Sequence, residues 1–105
     1  MAMALQEISA KELRGRWEQA GSREAVLFYT PLCGTCKLAE RMLGIVLEAG
    51  GTIPVSKINI NYAPGLAQDW EVSSVPALII FQAGFLVQKQ YALHSVVDLQ
   101  RWLKL

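Results

Sequence analysis

Cys33 and Cys36 are the only two cysteines in a chain of 105 residues, and they bracket Gly34 and Thr35. Two thiols at this spacing suit one chemistry above others: they pass between a dithiol and a disulfide, and two electrons move with them. The apolar run Ala25-Val26-Leu27-Phe28-Tyr29 leads into the pair, and the helical pattern Lys37-Leu38-Ala39-Glu40-Arg41-Met42-Leu43 leads away. The pair therefore lies where a strand hands over to a helix, the setting of a redox Cys-x-x-Cys. Residues i and i+3 of a first helical turn share a face with Cβ atoms about 5–6 Å apart, and a disulfide needs Cα atoms about 4.4–6.8 Å apart. The sulfurs can bond or separate with little backbone movement. The first cysteine also lies among helix N–H groups that have no intrahelical partner, and these, with the positive end of the helix, favour a thiolate. A free thiol is roughly 3% ionised at pH 7; about 2 kcal/mol of extra stabilisation of the anion would bring that to about half. Cys33 is expected to attack and Cys36 to resolve.

Two plainer uses of the pair stand beside this one. Structural zinc wants four ligands, and His94 is the one histidine the chain adds to the two thiols, so a zinc site would need a second subunit. No metal is expected. A structural staple is the other use, but a four-residue loop removes little unfolded-chain entropy and adds little stability.

The elements that must position the cysteines follow from composition and pattern. With 52% hydrophobic and 18% charged residues, the chain can bury a real core and reads as one domain over residues 1–105. A net charge of +1 with both signs scattered gives no support for nucleic acid or an anionic membrane as partner. Met1-Ala2-Met3-Ala4-Leu5-Gln6-Glu7 lacks the basic and apolar regions of a signal peptide, and apolar runs stop at five or six residues, far short of a membrane span. A cytoplasmic protein is expected, and in a reducing compartment a lone Cys-x-x-Cys is catalytic more often than structural.

Ser9 and Glu12 form a capping box that opens a helix through Leu13, Trp17 and Ala20 and ends at Gly21. Residues 25–30 form a continuous apolar strand, the pattern of a sheet covered on both faces. The helix after Cys36 carries Leu38, Met42 and Ile45, with Leu43, Val46 and Leu47, as a wide apolar stripe. Gly44 interrupts it and marks a bend or close packing; Gly50-Gly51 ends it. Residues 55–60 alternate as a strand, and Pro64 opens a short helix through Leu66, Ala67 and Trp70. Pro76 stands directly before the strand Ala77-Leu78-Ile79-Ile80-Phe81, a position that demands a first strand residue or a special bond. Gln82-Ala83-Gly84 is a turn into a strand over residues 86–93, and Ser95 caps a last helix that faces Leu99, Trp102 and Leu103 inward. The order is an uncertain first strand, then α-β-α-β-α-β-β-α. It implies an α/β domain with a mixed sheet, parallel through the crossovers and antiparallel in the last hairpin.

From about residue 9 to residue 105 the chain resembles the thioredoxin family. The likeness is carried by the strand into Cys33-Gly34-Thr35-Cys36-Lys37, by Lys57-Ile58-Asn59-Ile60-Asn61, by Val75-Pro76 and by Phe81-Gln82-Ala83-Gly84. Within the family it is most similar to short bacterial thioredoxin-like proteins with Thr-Pro-x-Cys-Gly-Thr-Cys. The resemblance implies a thioredoxin fold, a central mixed β-sheet of four or five strands flanked by about four helices. It implies that Cys33 is the nucleophile and Cys36 the resolving thiol, that Pro76 is a cis-proline facing the disulfide, and that the backbone of Val75 pairs with substrate. Leu32, Gly34, Thr35, Val75, Pro76 and Ala92 would contact substrate, with Ile60 in the same shallow groove; ordinary packing is the alternative for Ile60 and Ala92.

Four positions depart from the family pattern. Leu27 replaces a buried aspartate, Leu32 a tryptophan, Thr35 the proline between the cysteines, and Arg41 a proline inside the helix. Leucine cannot take a proton, so Cys36 is expected to lose its proton to water or to the substrate thiol, and resolution to be slower than in a typical thioredoxin at neutral pH. Lys57 matches a lysine that sits near the aspartate. Left without an anionic partner, it either tunes the site as a neutral base or extends to water. The Thr35 hydroxyl can donate towards a sulfur. His94, just before the last helix, is expected at a loop or cap rather than beside Cys33.

The sequence thus points to a thiol–disulfide oxidoreductase acting as a monomer on protein or small-molecule disulfides. It would use no cofactor and draw electrons from an upstream reductase or a low-molecular-weight thiol. A non-catalytic binding or redox-sensing module and a zinc-bridged dimer are the alternatives.

Overall fold

The computed structural model describes residues 5–19 and 21–105. The elements run β1 (Gln6–Glu7), α1 (Ala10–Gln19), β2 (Glu24–Tyr29), α2 (Gly34–Ala49), β3 (Val55–Asn59), a 3-10 turn (Ile60–Tyr62), α3 (Pro64–Asp69), β4 (Ala77–Gln82), β5 (Phe85–Gln90) and α4 (Val96–Leu103). The five strands form one sheet in the order β1-β3-β2-β4-β5, a thioredoxin fold. The uncertain first strand is real, two residues paired parallel to β3.

β2 is the middle strand, and its side chains alternate between two cores. Val26 and Phe28 join Leu13, Ile58, Leu66, Trp70, Ile79 and Phe81 on the face that α1 and α3 cover. Ala25 and Leu27 join Ala39, Leu43, Val46, Ile80, Leu99 and Leu103 on the face that α2 and α4 cover. With both faces buried, no polar residue can interrupt the strand, which is why it reads as an unbroken apolar run. Trp17 packs against Trp70 with ring centroids 4.5 Å apart and against Phe81 at 5.7 Å.

The helix starts match their local signals. The Glu12 N–H donates to Ser9 Oγ at 3.1 Å, and the Asp98 N–H to Ser95 Oγ at 3.1 Å. Each side chain satisfies one donor that the first helical turn leaves open. Ser95→Ala is expected to cost about 1 kcal/mol, read as a lower urea midpoint at unchanged slope. The expected helix position of Ala20 lies outside the described residues.

Four expectations need correcting. β4 runs antiparallel to β2, with Ala25 opposite Ile80 and Phe28 opposite Ala77, so antiparallel pairing is not confined to the last hairpin. β3 stops at Asn59: the Asn59 side chain accepts from the Asn61 N–H and turns Ile60 into the 3-10 segment. β5 stops at Gln90 rather than residue 93. On α2 the buried line is Cys36, Ala39, Leu43, Gly44 and Val46, while Leu38 is 51% and Ile45 47% exposed. The predicted stripe therefore holds at Leu43 and Val46, with Met42 and Leu47 packed against the core, and fails at Leu38 and Ile45, while Ala39 and Gly44 turn inward instead.

Candidate active site

Tyr29 ends β2, and four residues later the chain turns into α2 with Cys33 as its N-cap, in extended backbone conformation at φ −91° and ψ 111°. Cys33 Sγ accepts the Cys36 N–H at 3.1 Å, so the sulfur occupies the place a serine oxygen takes in an ordinary cap. The Thr35 hydroxyl lies 3.3 Å from the same sulfur and donates to it. Cys33 and Cys36 are joined as a disulfide, with Cα atoms 5.2 Å apart, inside the range that needs no backbone distortion. The two differ in access. Cys36 is 1% exposed, whereas Cys33 is half-buried at the helix mouth.

The Val75–Pro76 peptide bond is cis. Its loop is held from β5 and the residue just beyond. Tyr91 Oη accepts the Ser73 N–H at 3.2 Å and donates to the Glu71 carbonyl at 3.1 Å, and Lys89 Nζ donates to the same carbonyl at 2.8 Å. The hydrogen bonds from Ser73 favour the phenolate of Tyr91 and lower its pKa, with the nearby Lys89 charge acting the same way. Between this loop and α2 lies an open, mostly apolar cleft of about 340 Å³. Pro76 and Thr35 share it with Leu38, Met42, Ala92 and His94.

On the other flank of α2, Lys57 Nζ donates to Glu40 Oε2 at 3.1 Å, with side-chain exposures of 22% and 27%. Lys57 also stands 5.1 Å from the centroid of the Tyr29 ring, and the Tyr29 hydroxyl donates to Glu7 Oε1. Burial first, then the hydrogen bond to Glu7 and the negative charges of Glu7 and Glu40, push the Tyr29 pKa well above its ordinary value. The expectation that Lys57 has no anionic partner is therefore wrong. Where the family resemblance led one to look for a carboxylate on β2 the chain has Leu27, and the anion that Lys57 meets is Glu40 of the helix.

The structure brings Thr35, Pro76 and Ala92 to one cleft beside the disulfide, with Gly34 as the first residue of α2. Leu32 is 96% exposed in the turn just before Cys33, outside that cleft. Val75 and Ile60 are partly buried and pack against the core on the α1 and α3 face. His94 sits in the loop before α4 at φ 36°, edge-on to Trp102, and among the described residues no hydrogen bond joins it to either sulfur. Sequence reasoning missed Leu38, Met42 and His94 as cleft residues. The signal was present: Thr35, Leu38, Ala39 and Met42 follow i, i+3, i+4, i+7 from inside the motif. Among the described residues no cluster of three or more His, Cys, Asp or Glu side chains is placed to hold a metal ion, and no helix is long and apolar enough to cross a membrane.

With this geometry in place, comparison with known proteins gives a consistent match. The thioredoxin family model matches residues 6–104. The thioredoxin-like protein YusE of Bacillus subtilis is 41% identical over 76 residues, covering 72% of each chain. A thioredoxin of Streptomyces clavuligerus is 34% identical over 61 residues, 58% of this chain and 57% of that one. Among solved structures, a mutant thioredoxin from Halobacterium salinarum superposes with a TM-score of 0.80 at 23% identity, covering 95% of this chain and 88% of that one. The oxidised mitochondrial thioredoxin 3 of Saccharomyces cerevisiae gives 0.77 at 21% identity, covering 94% and 92%. At these identities the two structures speak for the fold.

Proposed function

The chain belongs to the thioredoxin family and is a thiol–disulfide oxidoreductase; from that premise we propose that it runs as a reductant of protein disulfides, with Cys33 attacking and Cys36 resolving. The carrying observation is the asymmetry of the pair. The Cys33 sulfur sits at the helix mouth and accepts a backbone N–H, while Cys36 is 1% exposed. Only a thiolate attacks, and a hydrogen-bond donor aimed at the sulfur stabilises that anion.

In the forward direction the Cys33 thiolate attacks one sulfur of the substrate disulfide. A mixed disulfide forms, and the other substrate sulfur leaves as a thiolate and takes up a proton. Cys36 then attacks Cys33 Sγ, the mixed disulfide breaks, and the second substrate thiol departs. Two electrons have passed from the dithiol to the substrate. The exposed Leu32, with Gly34, Thr35, Pro76 and Ala92, offers a substrate segment an apolar rim beside the sulfurs, and Val75 offers its backbone. No cofactor is needed. The dithiol is restored by a reductase or a low-molecular-weight thiol. We read the chain as one domain acting as a monomer, because one chain carries both sulfurs and the cleft. We read the cytoplasm as its compartment, because both cysteines of the chain are spent on the exchanging pair, the use of cysteine that a reducing compartment favours.

Alkylation of the reduced protein tests the assignment. Between pH 6 and 8, Cys33 is expected to react with iodoacetamide several-fold faster than Cys36 and faster than an unstructured peptide thiol, with the sites resolved by peptide mass. Equal rates for Cys33 and the peptide thiol would remove the basis for attack by Cys33.

A further inference from the structure

We propose that Glu40 takes the proton from Cys36 during resolution of the mixed disulfide, and that Lys57 holds the Glu40 carboxylate in place for it. This inference rests on the oxidoreductase reading above. Cys36 is 1% exposed, so its thiol needs a proton acceptor that the protein keeps close. Glu40 lies one turn further along α2, and residues i and i+4 have Cβ atoms about 5–6 Å apart on one face. Helical side chains lean back towards the N-terminus, so Glu40 covers the turn that carries Cys36.

The opposing strands fix the same corner. Along β2, Leu27 points to the α2 face, and Lys57 is its register partner on β3. Val55, two residues before Lys57, packs on that face too, as the strand period requires. Lys57 thus rises towards α2 beside Leu27 and meets Glu40 at 3.1 Å.

The charged and titratable groups around Glu40 are few. Lys57 faces it from β3, Tyr29 from β2 with Glu7 of β1 behind it, and Lys37 and Arg41 flank it on α2 as exposed side chains. Leu27 and Leu43 close the apolar side. Glu40 retains 27% of its side-chain exposure, enough for a proton taken from Cys36 to pass on to solvent. The step balances simply. The Cys36 S–H gives its proton to the carboxylate, the sulfur's electron pair forms the bond to Cys33 Sγ, and the bond from Cys33 to substrate breaks. The departing substrate thiolate collects a proton from Glu40 or water.

Stopped-flow mixing of reduced protein with the aromatic disulfide 5,5′-dithiobis(2-nitrobenzoate) separates the two half-reactions. The first thionitrobenzoate released reports attack by Cys33 and depends on reagent concentration. The second reports resolution by Cys36 and does not. For Glu40→Gln the second phase is expected to slow at least about tenfold at pH 7, against the roughly 10²-fold or more that a positioned base typically supplies. The first phase should keep its rate, and the gap in the second should narrow steadily as the pH rises and Cys36 ionises unaided. Glu40→Asp, which keeps a carboxylate on a shorter stem, should recover part of the rate with the wild-type pH shape. A Glu40→Gln second phase equal to wild type, or slowed equally at every pH, would overturn the assignment. Wild-type protein that releases no second equivalent would instead overturn the oxidoreductase reading itself.

Discussion

Cys36→Ser is expected to lose at least about 10³-fold in catalysed insulin-disulfide reduction and to accumulate as a covalent adduct with its substrate. The reason is kinetic. In the wild type the resolving sulfur is held one helical turn from the mixed disulfide, and well-oriented intramolecular groups act with effective molarities of about 10⁵ M or more. An external thiol at millimolar concentration cannot match that. Attack by Cys33 needs none of Cys36's sulfur, so the variant should complete the first half-reaction and stop. Mass spectrometry of the intact protein should show one substrate per chain, removed by excess dithiothreitol. Cys33→Ser should show neither turnover nor adduct, because the remaining thiol is 1% exposed. If Cys33→Ser reduced insulin as well as the wild type, the protein would be a docking module with incidental cysteines. If Cys36→Ser turned over normally, resolution would belong to a second substrate thiol and the helical pairing would have no catalytic role.

Much of this was legible because the relevant signals are local. The Cys-x-x-Cys stands between a buried strand and a helix within a dozen residues. Ser9 and Ser95 cap helices through bonds to residues three positions on. The order of elements implied an α/β domain with a mixed sheet, and the thioredoxin fold was implied by the resemblance that this motif carries together with Lys57-Ile58-Asn59-Ile60-Asn61, Val75-Pro76 and Phe81-Gln82-Ala83-Gly84. What was not legible is what depends on packing between distant segments. A strand buried on both faces has the same apolar pattern whichever way it runs, so nothing in Ala77-Leu78-Ile79-Ile80-Phe81 announces that β4 is antiparallel to β2. The exposure of Leu38 and Ile45 was missed for a related reason. They are larger apolar residues than Ala39 and Gly44, yet the latter are the buried ones, a choice set by the elements that the helix packs against. Lys57 looked unpartnered because its partner is on another element, 17 residues away. Leu27 and Glu40 had to be seen in space before the carboxylate lost from the strand and the one present on the helix could be related.

The second large effect falls on stability. Phe28→Ala is expected to destabilise the protein by about 3–5 kcal/mol, the usual cost of deleting a fully buried aromatic ring. Phe28 is 0% exposed and meets Trp70 edge-on at 5.8 Å between centroids, a geometry that adds to simple burial. The pocket cannot collapse around an alanine without moving β2, and β2 is held by β3 on one side and β4 on the other. A domain of this size has roughly 5–15 kcal/mol in all, so the loss is a large fraction of the whole. The melting temperature should fall by about 15–25 °C, and urea unfolding should show a lower midpoint at unchanged slope. The consequence reaches the site because Phe28 is five residues before Cys33 on the strand that delivers it. At a temperature where the variant is still folded, Cys33 alkylation should stay close to wild type, since the N-cap bond from Cys36 to the sulfur is internal to α2. A loss below about 1 kcal/mol would mean that the ring is not the filler of the α1 and α3 face, and that the strand is held by its ladder bonds rather than by its side chains.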